Sequence, residues 1–401
     1  MTSHTSDEWQ RDAMYWLYAW NVSIKCPSRH RRERLNILLS EKYFGSFVGS
    51  MSITDPRDSF SSSLVRDAHA RQTTAEAVQA LFGNCVECFG WLPSESVPKF
   101  DRALWEMLAN SSGLLGLSVP ERYGGSDGNL ADLAVLFHAL GASGAALPLF
   151  GHVAVAAQAI LAGGSEAQRG EWLPRIARGA IIASDGYCPD LSVRSGRLSG
   201  LARNVPHGRF ADLLVVSNDH ETWLMETADE RVEIQRETAA DHARPLDRVV
   251  FSDAPAAPLD DHVGAGEALH AAGYLALAAE ALGGATAAAD RILSLQLLKP
   301  TDPMMAAVSS ARIAVLAAAE PIQPDPVRRR IALHRAKASA SAAYLTLAKR
   351  LVDACSVDEP AASRHLARAQ GFDRIMGPSA WHLGEIARLQ AEQPCRPPLE
   401  N

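Results

Sequence analysis

Apolar and polar positions divide most of the chain into three successive patterns, two of them helical and one typical of strands. In the first pattern, alanine and leucine recur at spacings of three and four residues, as they do on one face of a helix. This periodicity predicts short helices over 66–89, 99–112, 129–142 and 151–163. We assign these helices to an N-terminal helical domain that covers residues 65–180.

The second pattern covers residues 181–262 and consists of short runs rich in β-branched and apolar residues, separated by Gly, Asn, Asp and Pro. The clearest runs are Leu213–Ser217, Thr222–Met225, Val232–Ile234 and Arg248–Phe251. Runs of this length and composition are typical of strands joined by turns. They predict a small antiparallel β domain in the middle of the chain.

The third pattern covers residues 265–392, where alanine- and leucine-rich stretches carry regularly spaced arginines. The stretches are 265–298, 303–320, 325–355 and 360–391. Four such helices predict an antiparallel four-helix bundle, so the fold class is mainly α with a β insertion. Residues 1–60 match none of these patterns and form an unassigned N-terminal extension, which is either added ahead of a second start at Met51 or an ordinary helical arm.

Composition limits the kind of protein this is. A chain of 401 residues with 47% hydrophobic and 21% charged residues is typical of a globular protein with two or three domains. A net charge of -7 argues against nucleic acid as the main partner. No uncharged apolar stretch reaches the roughly 18 to 20 residues that span a bilayer, and the N-terminus lacks a signal-peptide pattern. We therefore expect a cytoplasmic protein with no membrane partner.

The six cysteines lie far apart and do not form the pattern of a disulfide framework. Cys85 and Cys88 make a CxxC pair without a second pair, so we interpret them as neighbours on a helix rather than as a zinc or redox site. No metal site is predicted.

The most informative stretch is Gly113–Gly125, where an apolar run stops at a proline and a double glycine follows. Pro120 cannot continue a helix and Gly124–Gly125 accept positive φ, so the chain must turn sharply. Alone, this is typical of a linker between helices. Other matching segments occur in order around it: Asp101–Trp105, Leu147–Leu149 and Glu171–Arg175. Together these segments resemble the N-terminal helical domain of acyl-CoA dehydrogenases.

The resemblance extends to the middle domain. Residues 205–212 resemble the family segment in which a strand places backbone amides and a small side chain beside the flavin ring of FAD. It implies four cofactor-binding residues: Val205, Pro206, His207 and Gly208. Pro206 stands where Thr or Ser is common, a variant that resembles members acting on bulky, often steroid-derived, acyl-CoAs. Because proline donates no hydrogen bond, the amide of His207 or Gly208 must supply any donor there. A strand that ends at an edge proline is the alternative.

Two segments depart from the family pattern. Ala183–Asp190 replaces the usual loop beside flavin and substrate; Ser184 and Asp185 can meet a ligand, but we predict a polar surface loop. In the family, an arginine and a following Gln-Phe-Gly reach the pyrophosphate of an FAD that is bound mainly by the other subunit. In this chain those positions hold Leu295, Leu297, Leu298 and Lys299. Leucines cannot replace an arginine fork, and one lysine offers only a point charge. The flavin site that this subunit would complete on its partner is therefore predicted to be impaired.

In the same region, Gly283–Gly284 resembles the first bundle helix of the family. Small residues at such a place allow either a flavin or a neighbouring helix to approach closely. The sequence leaves both interpretations open.

In this family a glutamate near the C-terminus, after a glycine-rich turn, removes the α proton of the acyl thioester while the β hydride passes to the flavin. The corresponding stretch here is Gly377–Glu385. Anchoring on Trp381 puts His382 at the glutamate position, whereas anchoring on Gly377 puts the position one residue before Glu385. Both side chains are candidate bases, because histidine titrates near neutral pH and burial raises the pKa of a carboxyl. The alternative is that His382 packs at a helix start and Glu385 lies in the first turn, favoured by the helix dipole.

Two functions follow from the resemblance. The first is an FAD-dependent acyl-CoA dehydrogenase, or a subunit of one, that desaturates an acyl-CoA thioester and passes electrons to an electron-transfer flavoprotein or a similar acceptor. The second is a non-catalytic partner subunit of a heteromeric acyl-CoA dehydrogenase. Both imply an oligomer, with a second copy or with a homologous subunit.

Overall fold

A computed structural model describes residues 100–392, except for 101, 112, 238–240, 298, 300–301, 321–324 and 356–359. The N-terminal extension, the helix predicted over 66–89, the Cys85–Cys88 pair and Leu298 lie outside the described residues. The observed order of helices, then strands, then helices confirms the fold class, mainly α with a β insertion.

Short helices joined by tight turns form the first part of the described chain. They are α1 (Arg102–Ser111), α2 (Leu130–Ser143), α3 (Ala157–Gly163) and α4 (Glu166–Ala177). A π-helical segment, Phe150–Ala156, leads directly into α3. α2 begins with a capping box in which the Asn129 side chain accepts from the amides of Ala131 and Asp132.

The turn predicted from the proline and double glycine contains two short 3₁₀ segments, Leu114–Gly116 and Glu121–Tyr123, and it ends before α2 begins. Gly124 has φ 84°, a left-handed conformation that favours glycine. Gly125 is needed for a different reason, because a Cβ there would overlap the carbonyl oxygen of Val119. The turn therefore uses the two glycines for two separate purposes.

Eight strands of the described part of the chain form two four-stranded sheets. The first sheet has the order β1 (Ala183–Tyr187), β4 (Leu213–Ser217), β5 (Thr222–Glu226), β8 (Ala257–Pro258). The second has the order β2 (Ser192–Arg194), β3 (Arg197–Pro206), β7 (Leu246–Pro255), β6 (Val232–Arg236). All pairs are antiparallel except β1 with β4, which is parallel. Inward side chains of both sheets, including Leu198, Val216 and Phe251, share one apolar core.

Long helices form the last part: α5 (His262–Ser294), α6 (Pro303–Ala319), α7 (Pro326–Ala354), α8 (Pro360–Gly371) and α9 (Ser379–Ala391). α6 and α7 each begin with an aspartate whose side chain accepts backbone amides, followed by a proline at the first helical position. Among the described helices, none is both long and apolar enough to cross a membrane.

The stretch 360–391, predicted as one helix, is two helices separated by a turn. Met376 has φ 53° and Gly377 has φ 95°, and Pro378 follows as the N-cap of α9. Two successive left-handed residues before a proline cannot continue a helix. The interruption places a turn of the chain against the β domain, where the candidate site lies.

Candidate functional site

An open cleft of about 940 Å³ lies between the β domain and the last helices. One wall comes from β1 and β3 and includes Asp185, Leu201, Arg203 and Asn204. The opposite wall comes from α5, the turn before α9 and the first turn of α9, and it includes Leu269, His270, Tyr274, Met376 and Trp381. A concave site that joins apolar and aromatic side chains to a few polar groups is the usual form of a small-molecule site.

Asp185 is the most perturbed acid of this cleft. Burial raises its pKa to about 7, and its Oδ1 atom is buried without a hydrogen-bond partner among the described residues. The prediction of a polar surface loop over Ala183–Asp190 is wrong for residues 183–187, which are strand β1, paired along its whole length with the buried strand β4. Ser184 is buried and Asp185 is half-buried, whereas Pro189 and Asp190 are exposed in the turn that follows.

Asn204 lies on the same wall, near the end of β3. Its φ of 54° is left-handed, which asparagine tolerates better than most residues. The side-chain Oδ1 atom of Asn204 is buried and has no hydrogen-bond partner among the described residues. The backbone N–H of Asn204 donates to the Glu237 carboxylate at 3.1 Å. A second unsatisfied polar atom therefore lies in the β wall of the cleft.

The opposite wall depends on a buried lysine. Lys337 on α7 has no exposed surface, and its Nζ donates to the carbonyl oxygens of Phe372 at 2.8 Å and Gly377 at 3.3 Å. Burial lowers its pKa to about 8. Because these two carbonyls bracket the turn before α9, Lys337 fixes the shape of that turn.

His382 lies behind this wall and is fully buried. Its Nδ1 atom is 2.8 Å from Nδ1 of His334, so one imidazole donates and the other accepts. Burial, with the charge of Lys337, lowers the pKa of His382 to about 3; burial lowers that of His334 to about 4. Tyr274 and Trp381, which line the cleft, contact the His382 ring edge-to-face, whereas neither histidine of the pair lines the cleft.

Glu385 is half-buried and lies one turn further along α9. Its carboxylate accepts from Arg388 at 2.8 Å, and this hydrogen bond lowers its pKa. Neither Glu385 nor His382 is among the residues that line the cleft. The structure brings the two candidate bases onto one helix but does not bring either into the cavity.

The four residues implied as cofactor-binding, 205–208, are all buried. Val205 belongs to the core between the two sheets, and the carbonyl of Pro206 accepts from Ser184 at 2.5 Å. The amide of His207 donates to Pro245 at 2.8 Å and is therefore engaged within the protein. Burial lowers the pKa of the His207 imidazole to about 3. Their role as cofactor ligands stays a prediction.

The segment predicted to lack the family's pyrophosphate-binding residues begins at Leu295, directly after α5. Leu295 is exposed, and the chain continues through a turn to Lys299, which is also exposed. The glycine pair before it has a packing role: a Cβ at Gly283 would overlap the carbonyl of His138 on α2, and one at Gly284 would press on the ring of Tyr344. Close approach of a neighbouring helix and its side chains accounts for both glycines.

Sequence reasoning missed Asn204, a polar group of the cleft, and Lys337, which holds the turn before α9 without lining the cleft, and it gave Asp185 the wrong environment. The signal for β1 was the apolar run Ile181–Ala183 that leads into it, masked by small polar residues of low strand propensity. Lys337 and Asn204 leave no comparable mark, because a lysine on a helix or an asparagine after an arginine is normally solvated.

The segment that precedes the β domain is similar in sequence to known proteins. Residues 91–180 match the sequence model described as acyl-CoA dehydrogenase, N-terminal domain. A curated relative, acyl-CoA dehydrogenase IpdE2 of Mycolicibacterium smegmatis, is 35% identical over 99 residues, 25% of this chain and 30% of the relative. The matched part of the chain thus spans less than a third of that relative's length.

Solved structures share the fold over most of the chain. A variant of the Tcur3481-Tcur3483 steroid ACAD superposes with a TM-score of 0.67 at 22% identity, covering 80% of this chain and 99% of that one. The ChsE4-ChsE5 complex of Mycobacterium tuberculosis gives a TM-score of 0.67 at 20% identity, covering 80% and 98%. At these identities the likeness shows a common fold.

Proposed function

The chain is a member of the acyl-CoA dehydrogenase family, and on that premise we propose that it is an FAD-dependent acyl-CoA dehydrogenase or a subunit of one. The reaction would be the removal of two hydrogens from Cα and Cβ of an acyl-CoA thioester. The observation that carries the proposal is the cleft between the β domain and the last helices. This cleft joins an apolar and aromatic surface to polar side chains, among them Asp185 with its raised pKa.

The residues of the cleft fit a flavin ring. Two buried polar atoms in its β wall, Oδ1 of Asp185 and Oδ1 of Asn204, require hydrogen-bond partners that the described residues do not supply. Tyr274 and Trp381 offer aromatic surface on the opposite side. When bound, FAD would supply the acceptor for the hydride; the chain would hold the ring, exclude water from it and orient the thioester.

The acyl group we propose is bulky and apolar. Leu201, Leu269 and Met376 line the cleft, and Pro206 resembles the variant found in members that act on steroid-derived acyl-CoAs. The similar solved structure described as a steroid ACAD supports the same substrate class. An electron-transfer flavoprotein or a similar acceptor would take up the electrons.

A second candidate is a non-catalytic subunit that pairs with a complete homologue. Three observations favour it. His382 is buried and hydrogen-bonded to His334, the Glu385 carboxylate accepts a hydrogen bond from Arg388, and the segment Leu295–Lys299 lacks the family's arginine. In this case the chain would contribute helical surface and part of one flavin site to a hetero-oligomer. A solved structure with the same fold, ChsE4-ChsE5, is described as a complex, which supports this candidate.

The test is purification of the chain alone and with a co-expressed homologous subunit, followed by the flavin absorbance band and acyl-CoA-dependent reduction of an artificial acceptor. We expect bound flavin and activity in at least one preparation. Activity of the chain alone, lost in Glu385→Gln or His382→Gln, would overturn the partner-subunit candidate. A chain that is flavin-free alone and gains flavin only with the homologue would overturn an autonomous enzyme.

A further inference from the structure

Met376 lies in the turn before α9 and lines the cleft in a backbone conformation that methionine rarely adopts. Its φ of 53° is left-handed, and Gly377 follows with φ 95°. A residue other than glycine keeps such a conformation only where the surrounding structure imposes it. Two sets of contacts impose it here, one on the backbone of the turn and one on the methionine side chain.

Hydrogen bonds hold the backbone of the turn at both of its ends. The Lys337 ammonium on α7 donates to the carbonyl oxygens of Phe372 at 2.8 Å and Gly377 at 3.3 Å. The Asp373 carboxylate accepts from the backbone N–H of Ser379 at 3.2 Å and from its hydroxyl at 2.9 Å. These four bonds fix the place in the cleft wall from which the methionine side chain starts.

The Met376 side chain occupies a notch in α5 at Gly273. A Cβ on Gly273 would lie 2.5 Å from Sδ and 2.6 Å from Cε of Met376, so only glycine leaves space for the thioether in its present position. The same Cβ would lie 3.6 Å from Cγ2 of Val155, a fully buried residue of the π-helical segment. The thioether therefore packs against the apolar junction of α5 with that segment, and it ends the cleft on this side.

We propose that Met376 is a specificity-determining residue whose thioether, seated in the notch at Gly273, sets the size of the acyl group that the cleft accepts. This inference rests on the proposed function. Glycine at position 273 lets the thioether lie back against α5, which leaves room for a bulky acyl group. A larger residue there would push the thioether into the cleft, because the cleft is the open side of Met376 and the side of the notch is close-packed.

Gly273→Ala should change the cleft and leave the fold intact. The atoms in the way of the new Cβ are the far end of a flexible side chain, which can move by changing its rotamer. At Gly283, by contrast, the obstructing atom is a backbone carbonyl oxygen. The Gly273→Ala protein should therefore unfold at about the same temperature as the wild type, with the Met376 thioether displaced toward the acyl group.

The experiment is isothermal titration calorimetry of the purified chain, alone and with its co-expressed homologue, with cholyl-CoA as the bulky thioester and butyryl-CoA as the small one. Oxygen and electron acceptors are left out, so that an active enzyme cannot turn over. Both thioesters carry the same CoA, so the ratio of their dissociation constants reports the acyl group. In Gly273→Ala the affinity for cholyl-CoA relative to butyryl-CoA should fall about tenfold or more, since one methylene in an apolar pocket changes discrimination by about that factor.

A second substitution tests whether the thioether causes this loss. In the double variant Gly273→Ala, Met376→Ala the thioether is absent, so the relative affinity for cholyl-CoA should return at least to the wild-type value. The matched control is Gly266→Ala on the same helix, where the missing Cβ has nothing within 4 Å. This control should keep the wild-type ratio, and thermal unfolding without ligand compares all the variants.

The outcomes separate this inference from the proposed function. An unchanged ratio in Gly273→Ala, a reduced ratio that Met376→Ala does not restore, an equal reduction in Gly266→Ala, or a Gly273→Ala protein that does not fold would overturn the role of Met376 and leave the proposed function standing. Failure of the wild type to bind either thioester, alone and with the homologue, would overturn both.

Discussion

Glu280 on α5 has no exposed surface and accepts hydrogen bonds from two arginines, Arg244 before β7 and Arg368 on α8. Arg244 also lies over the rings of Phe150 and Phe372. A buried carboxylate is tolerated only when it is paired and hydrogen-bonded, and loss of one partner leaves uncompensated charge. This single side chain therefore connects the β domain to two helices of the bundle, next to the turn that forms one wall of the cleft.

Glu280→Gln should remove about 3 to 5 kcal/mol from the free energy of unfolding, because it leaves two buried guanidinium groups facing a neutral amide. Urea unfolding measures the change. The control is Glu392→Gln, which breaks the exposed pair with Arg388 and should cost less than about 1 kcal/mol. Equal losses in the two variants would show that the buried network adds nothing beyond a surface ion pair.

At the scale of elements, the crossing of α2 and α5 joins the N-terminal helices to the bundle. A Cβ on Gly141 of α2 would overlap the carbonyl of Glu280, and one on Gly283 of α5 would overlap the carbonyl of His138. Glycine on both helices lets the two backbones touch. The position of Glu280 at this crossing follows from the close approach.

Gly283→Ala should destabilise the protein by more than about 2 kcal/mol, because the obstructing atom is backbone and the helices must separate. Gly384→Ala is the matched control, since that helical glycine has open space around its missing Cβ. There alanine should stabilise by up to about 1 kcal/mol through helix propensity. Thermal and urea unfolding compare the pair, and a Gly283→Ala protein as stable as the wild type would refute the close crossing.

Elements with strong local signals were predictable, and the cleft was not. The Asp-Pro starts of α6 and α7 and the apolar runs of β4 and β5 follow from capping and strand propensity. Asp185 gained its environment from strands far away in the chain, and His382 from the packing of α7. Burial by distant elements sets the pKa of both groups, and no local pattern records it.

At the scale of the whole molecule, six described histidines have pKa values lowered by burial, to about 3 or about 4. They are His138, His152, His207, His334, His365 and His382. In the unfolded chain each binds a proton below about pH 6.5, while the folded protein keeps them neutral. The raised pKa of Asp185 has the opposite effect on the pH dependence of stability, but it is one group against these six histidines.

Stability should therefore decrease as pH falls from about 7 to about 5, because the unfolded state binds more protons in that range. Each buried histidine contributes up to about 1.4 kcal/mol per pH unit. Urea unfolding at several pH values measures the slope, and His382→Gln should reduce it. A free energy of unfolding that is constant or larger at pH 5 would contradict the burial of these rings.

The proposed function requires that the cleft holds a flavin that oxidises an acyl thioester. The test is anaerobic addition of a steroid-derived or a straight-chain acyl-CoA to the flavin-loaded protein, alone and with its homologue. The absorbance band of the flavin is recorded, and the mass of the thioester is determined by mass spectrometry. We predict bleaching of the band together with an enoyl-CoA lighter by two hydrogens. A flavin band that both thioesters leave unchanged, with no lighter product in either preparation, would contradict the claim.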